Sequence, residues 1–406
     1  MPKNLALRWT GLLLLLLNFV SAHQTRAQSF IQIVTHNVSY VFNERLYFEA
    51  TFESDKPLAA GRVVFHQERA SKLETERIEL NGNSKLSIDF ELDVGTAPEA
   101  FSKVIYWFVV ATQDGLAYES PAYEFLYEDN RFEWQTLEAS PFQVRWHSGG
   151  GSFGESILSA AKKGVARTQQ WLPLAAPSQI ILQVYEYPSD VQEVLQLAGY
   201  SWLGGHSDPA LGRILLSIPP NSQSSLEIER QVPHEVAHVM LFQALGPEAY
   251  GNLPIWLTEG IASNAELYSD PVRGQLLNLA YGGNHLLPIA GLCEVFPQTT
   301  ANARLAYAEV ASFVDYLHEE YGVVGLGALI DAYSENFDCL NAPRALFGMD
   351  LGELEQDWIS ATFSPSSSWQ TLLESLPWQS ILVSGLFVGT LFLLQRALAK
   401  RGTESK

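Results

Sequence analysis

Three observations predict a multidomain chain, in which an all-β immunoglobulin-like sandwich is followed by an α+β domain and both are bracketed by membrane-targeting segments. Apolar and polar residues alternate from about Phe30 to about Asn130. From about Phe142 a few strands give way to long stretches of helical periodicity. An apolar run lies near the start of the 406 residues, and a long stretch without charge lies near their end. A period of two sends successive side chains to opposite faces of a sheet, and a period of 3.6 gathers them on one face of a helix, so the two patterns mark different folds.

In chain order, residues 1–27 read as an export signal. Lys3 and Arg8 supply the positive start, Leu12 to Leu17 the apolar run, and Val20-Ser21-Ala22 or Thr25-Arg26-Ala27 a small-residue cleavage pattern. An uncleaved anchor is the other reading, although the run is short against the ~20 residues of a span. Residues 28–135 are the predicted sandwich. Ile31–Ile33, Leu46–Phe52, Arg62–Phe65, Leu86–Phe90 and Tyr106–Val110 read as strands, with Asn81-Gly82 and Asp114-Gly115 as turn signals. No cluster of catalytic side chains falls there, which leaves spacing or binding as its role.

Residues 140–363 are the predicted α+β domain. Phe142–Trp146, Ile180–Tyr187 and Arg213–Ile218 read as strands, and a helix covers Glu155 to Leu172 after Gly149-Gly150-Gly151. A further helix separates the last two strands, and beyond Leu226 the pattern is almost wholly helical. Strands first and helices afterwards imply one sheet at the head of the domain. Residues 364–376 are a polar linker containing Pro365. No charge interrupts Ser375 to Gln395, and Arg396, Lys400, Arg401 and Lys406 follow at once. A transmembrane helix over 377–396 is therefore expected, with 397–406 as a cytoplasmic tail and the bulk of a single-pass cell-membrane protein outside. A buried globular helix is the other reading.

Composition excludes some classes. With 47% hydrophobic and 17% charged residues the chain can bury sizeable cores. A net charge of -20 argues against nucleic acid, because phosphate binding needs clustered Lys and Arg. The two cysteines, Cys293 and Cys339, suit one disulfide in an oxidising compartment; two buried thiols are the alternative.

The string that carries chemistry is Pro233-His234-Glu235-Val236-Ala237-His238. Residues four apart share a helix face, so His234 and His238 present two imidazoles to one point, and Glu235 lies beside the first. Nine histidines make a chance His-Glu-x-x-His occur on the order of once in a hundred such chains. A second string, Pro254-Ile255-Trp256-Leu257-Thr258-Glu259-Gly260-Ile261-Ala262, supplies the carboxylate that a His₂Glu zinc site requires.

These strings resemble the gluzincin peptidases, in particular the peptidase MA-like metallohydrolases, over roughly Phe142 to Phe363. Leu305 to Leu317, then Tyr321-Gly322, continue the likeness. The resemblance implies a zinc metallopeptidase in which His234, His238 and Glu259 ligate Zn²⁺ and Glu235 is the base that activates water. It implies Tyr307 as the donor to the developing oxyanion, with a core aromatic as the other reading of that residue; His206, Tyr281 and His285 are lesser candidates. Where related sequences carry an acid four residues after the third ligand, this one has Ser263, and Asn264 or Glu266 is left to take over. No Gly-x-Met-Glu-Asn string is present; Gly204-Gly205-His206-Ser207-Asp208 stands in that place, which favours an endopeptidase over an aminopeptidase. The substrate is then a peptide or protein outside the membrane, which the edge strand Arg213–Ile218 could pair with. The alternative is a catalytically inactive surface protein that binds through its sandwich.

Overall fold

In the computed structural model, residues 30–68, 71–93, 96–195, 205–297, 299–335 and 338–363 are described, with scattered helical positions between 384 and 396. The expected export signal and linker lie outside the described residues, as does most of the 377–396 segment. Among the described residues, no helix is long and apolar enough to cross a membrane. Two compact units divide between Arg131 and Phe132.

The first unit is all β, and its alternating sequence explains why. Its strands are β1 (Ile31–Val41), β2 (Arg45–Ser54), β3 (Leu58–Gln67), β4 (Leu73–Glu74), β5 (Ile78–Glu79), β6 (Lys85–Glu91), β7 (Ser102–Thr112), β8 (Ala117–Glu119) and β9 (Tyr123–Tyr127). One antiparallel sheet has the order β1-β2-β6, and the other β4-β3-β7-β8 with β5 on β3 and β9 on β7. In β2, Leu46, Phe48, Ala50 and Phe52 are buried while the residues between them are not, as period two requires. Phe48 bridges the two sheets, with ring centroids 5.4 Å from Phe65 and 5.3 Å from Tyr106. Asp114-Gly115 closes the β7–β8 hairpin, where the Thr112 N–H donates to Leu116 O at 2.8 Å. Asn81-Gly82 has φ of 51° and 85°, but the strands it joins belong to different sheets. It carries the chain across the sandwich and does not close a hairpin.

The second unit begins with β10 (Gln135–Ala139) and β11 (Phe142–Trp146), followed by α1 (Gly151–Trp171), β12 (Ile180–Tyr185), α2 (Pro188–Val194), β13 (Gly205–Asp208) and β14 (Arg213–Ser217). The sheet order is β10-β11-β12-β14-β13; β11, β12 and β14 run parallel, and the two outer strands are antiparallel to their neighbours. The expected edge strand, Arg213–Ile218, is therefore interior. Its five strand residues are all buried, and β13 covers it. Gly205-His206-Ser207-Asp208 carries no alternating apolar residue, so period two could not reveal it; the backbone ladder with β14 makes it a strand.

Helices follow: α3 (Ser224–Leu245), α4 (Pro247–Gly251), α5 (Ile255–Ala265), α6 (Arg273–Gly282), a 3-10 turn (Ile289–Leu292), α7 (Thr300–Ser334), α8 (Ala342–Phe347) and α9 (Leu351–Phe363). The long α7 is broken at Gly322, whose φ of 67° is left-handed. One core lies between the sheet and α1 and α3, with Val144, Leu182, Ile214, Ile157, Val232 and Val236 fully buried. A second, helical core gathers Trp256, Ile261, Val310, Phe313, Leu317 and Trp358. The helix α3 borders both.

Cys293 and Cys339 form a disulfide across 46 residues of sequence. The Cys293 carbonyl also accepts the N–H of Ile255, the first residue of α5, at 2.9 Å. Replacing both cysteines by alanine should lower stability by about 4 kcal/mol on the loop-entropy scale, seen as a lower thermal midpoint. An unchanged midpoint would show that the bridge constrains nothing the folded helices do not already constrain.

Glu309 in α7 is fully buried, and its carboxyl accepts the Leu287 N–H at 3.0 and 3.2 Å. Burial pushes its pKa up to about 8 against the opposing effect of that N–H, and Glu355 adds to the rise. The folded chain thus holds a proton that the unfolded chain releases near the ordinary 4.5. The stability from this group is complete below that value and is lost as pH rises through about 8. The thermal midpoint should fall across this window, and Glu309→Gln should flatten the fall; an unchanged slope in the variant would locate the dependence elsewhere.

Candidate metal centre and its cleft

The centre is built on α3, and its one proline is part of the construction. Pro233 has no N–H to offer the Glu229 carbonyl four residues earlier. That carbonyl instead accepts the N–H of Leu267 at 2.9 Å. The segment that follows α5 is thereby tied to the turn of α3 just ahead of His234. On the other side, a Cβ on Gly164 would come within 2.8 Å of Pro233 Cα, so α1 approaches this turn at a distance only glycine permits.

The helix α5 brings Glu259. Its residues Trp256, Leu257 and Ile261 enter the helical core. At the next position a Cβ on Gly260 would lie 2.4 Å from Val314 Cγ2 and 2.7 Å from Val310 O. The Glu-Gly pair therefore joins a polar presenter to a close approach between α5 and α7. A side chain at Gly260 would force α5 and α7 apart and displace Glu259 with its helix.

Three ligand atoms converge. His234 Nε2 is 3.3 Å from His238 Nε2 and 3.2 Å from Glu259 Oε2, and His238 Nε2 is 3.6 Å from the same oxygen. Ligands about 2.0–2.1 Å from a tetrahedral zinc ion sit roughly 3.3 Å from one another, which is the spacing observed. Glu259 Oε2 is buried and has no well-directed hydrogen-bond partner among the described residues. Two imidazoles and a carboxylate are also a donor set that zinc accepts. These residues fit the ion.

The electrostatics agree. Burial lowers the His234 pKa, but the Glu259 and Glu266 carboxylates beside it outweigh that and push the value up to about 10. Burial raises the Glu259 carboxyl, yet His238 and His234 together hold it well below the usual carboxylate range. The cluster concentrates negative charge at a point where positive charge is stabilised.

Neighbouring residues fix the two rings. His234 Nδ1 lies 3.3 Å from Glu266 Oε1, and Glu266 Oε2 lies 3.5 Å from Arg273. His238 Nδ1 is 3.1 Å from the Tyr250 hydroxyl. Of the two residues proposed to replace the missing acid at Ser263, Glu266 occupies that place. Asn264 instead donates to Gly260 O and Ala311 O at 3.0 and 2.8 Å, bracing α5 against α7. Tyr250 escaped the sequence reading because α4 is separate from the motif helix and no periodicity links them. The only available signal was an isolated aromatic between two glycines.

A cleft of about 420 Å³ opens beside these ligands, lined in part by Gly205, His234, Glu235, Glu266 and Tyr307. Glu235 is buried, with Oε1 only 2.7 Å from where a Cβ on Gly205 would stand. Tyr307 lies with its ring centroid 6.0 Å from that of His234 and 4.7 Å from that of Phe296. Burial, reinforced by Glu259, Glu235 and Glu266, pushes its hydroxyl well above the ordinary pKa, so it stays a neutral donor. His206, Tyr281 and His285 do not line the cleft, and Tyr281 stacks on Phe363 at 4.4 Å.

A sheet with an antiparallel outer strand, a two-histidine helix and a carboxylate on the next long helix define a peptidase-like hydrolase fold. Residues 160–363, half of the chain, match the Peptidase MA superfamily, and the chain belongs to it. Comparison with curated proteins finds no match. Among solved structures, an aminopeptidase N family protein from Idiomarina loihiensis is 8% identical, with 81% of this chain and 70% of that one covered at a TM-score of 0.30. A catalytically inactive OgpA from Akkermansia muciniphila, solved with an O-glycopeptide, is 9% identical over 25% of this chain at a TM-score of 0.21. This chain spans 30% of OgpA.

Proposed function

We propose that the protein is a zinc-dependent endopeptidase, exported and held in the cell membrane by its C-terminal segment, that cleaves peptides or proteins outside the cytoplasm. The observation that carries this reading is the convergence of His234, His238 and Glu259 at zinc-ligand spacing beside a cleft that His234 and Glu235 line. When bound, zinc would acidify a water molecule and polarise the scissile carbonyl. Glu235, next to the first ligand and facing the same cleft, takes the water's proton and returns it to the leaving amine. Tyr307 keeps its proton and donates a hydrogen bond to the oxygen on which charge develops. Glu266 and Tyr250 hold the two imidazoles in orientation.

Endopeptidase action is supported by the state of the cleft carboxylates. Glu266 is engaged with His234 and Arg273, and Asp270 with Arg304. Neither is left to anchor a free amino terminus. The sandwich then serves as a spacer or a recognition module. The test is cleavage of randomised peptides by the purified chain with chelator and after zinc is restored. Cleavage that stops and returns supports the reading, and zinc-independent or absent cleavage overturns it.

A further inference from the structure

The cleft has a second chemical character that the hydrolytic reading does not use. Among the described residues lining it are three arginines, Arg230, Arg273 and Arg304. The same lining holds three acids, Glu235, Glu266 and Asp270, so the cleft is locally balanced in charge within a chain of net charge -20. Their positions follow from helix geometry. Arg230 precedes His234 by four residues on α3, and Arg304 precedes Tyr307 by three on α7. Residues at these spacings share a helix face. The two guanidinium groups therefore stand one turn along the cleft from the candidate metal ligand and the candidate oxyanion donor.

Each arginine is steadied by an acid. Arg230 Nη2 is 2.7 Å from Glu227 Oε2, and Arg304 Nη2 is 3.0 Å from Asp270 Oδ2. Asp270 also accepts the Val272 N–H at 3.0 Å, which fixes it to its own loop. A guanidinium has five N–H donors, and a single contact of this kind leaves most of them available. The side chains of Arg230 and Arg304 remain 40% and 55% exposed. Held in place but not consumed, such forks are suited to bidentate binding of a carboxylate, and prior anchoring reduces the entropy lost when a ligand arrives.

We propose that the cleft selects peptides bearing a carboxylate within a few residues of the scissile bond, recognised by Arg230 and Arg304; this rests on the peptidase reading of the same site. The acidic exterior does not oppose it at contact range, because surface fields are screened over about 8 Å at physiological salt. The carboxylate is either an acidic side chain or a free C-terminus, and the two are separable by experiment.

The experiment measures binding, so that it does not depend on turnover. The full chain carrying Glu235→Gln, loaded with zinc, is titrated with three dye-labelled decapeptide pools. One has a single Glu among neutral residues and an amidated C-terminus, one has Gln in its place, and one has Gln with a free C-terminus. Charge-assisted bonds predict that the Glu pool or the free-acid pool binds about tenfold to a hundredfold tighter than the neutral pool. Whichever pool gains identifies the source of the carboxylate. Adding Arg230→Gln and Arg304→Gln should bring that pool down to the neutral level with zinc content unchanged; if the pair impairs folding, each single change should remove part of the gain. Equal binding of all three pools, or a gain that survives these substitutions, overturns the proposal. Failure of the peptidase reading shows separately, as absent zinc-dependent cleavage by the unsubstituted chain.

Discussion

Glu235→Gln is expected to lower peptide turnover by about a hundredfold to ten-thousandfold while leaving bound metal at the level of the unsubstituted chain. The two halves of this result have separate physical sources. Glu235 contributes none of the three converging ligand atoms, which come from His234, His238 and Glu259. Glutamine matches glutamate in shape, so the close contact with Gly205 is kept and the buried position stays filled. It cannot accept and return a proton near neutral pH. Metal stoichiometry and initial rates on one preparation decide the matter. Unchanged turnover would remove Glu235 from the reaction, and loss of metal would make it a ligand.

His234→Ala should have the opposite signature, with zinc falling from about one per chain to background and turnover disappearing along with it. The change removes one of three ligands and also leaves Glu259 and Glu266 without the imidazole that lies 3.2 and 3.3 Å from them. Stripping one partner from a buried charged cluster costs about 3–5 kcal/mol, so the thermal midpoint should fall even in the presence of chelator. Glu266→Gln separates ligation from folding. It touches His234 from behind and should weaken zinc about tenfold to a hundredfold without removing a ligand. A His234→Ala chain that still holds one zinc would sink this assignment of the centre.

Much of the candidate site was legible because its parts are local. The four-residue spacing of His234 and His238 needs only a helix to bring both rings to one face. Glu259 was legible from the string around it, and its neighbour Gly260 has a reason that only packing displays. Glu266 and Asn264 are not separable by position in the sequence; only the fold places Glu266 against His234 and turns Asn264 to α7. Tyr250 was not legible, nor was β13, whose residues have no apolar rhythm. The error over the sheet edge came from the same source: Arg213–Ile218 is apolar enough to read as a strand, but its neighbours cannot be counted from its own residues.

By itself the sequence determined the all-β character of the first unit, the strands-then-helices order of the second, and the identity of the residues able to meet at a metal. These follow from periodicity and from side-chain chemistry, which act over a few residues. The tertiary structure alone decided which strand borders the cleft, which groups orient the imidazoles, that Cys293 and Cys339 are joined, and that three arginines share a wall with the centre. Each of these depends on contacts between segments far apart in the chain, whose approach is set by packing between helices and sheet and leaves no local pattern in the order of residues.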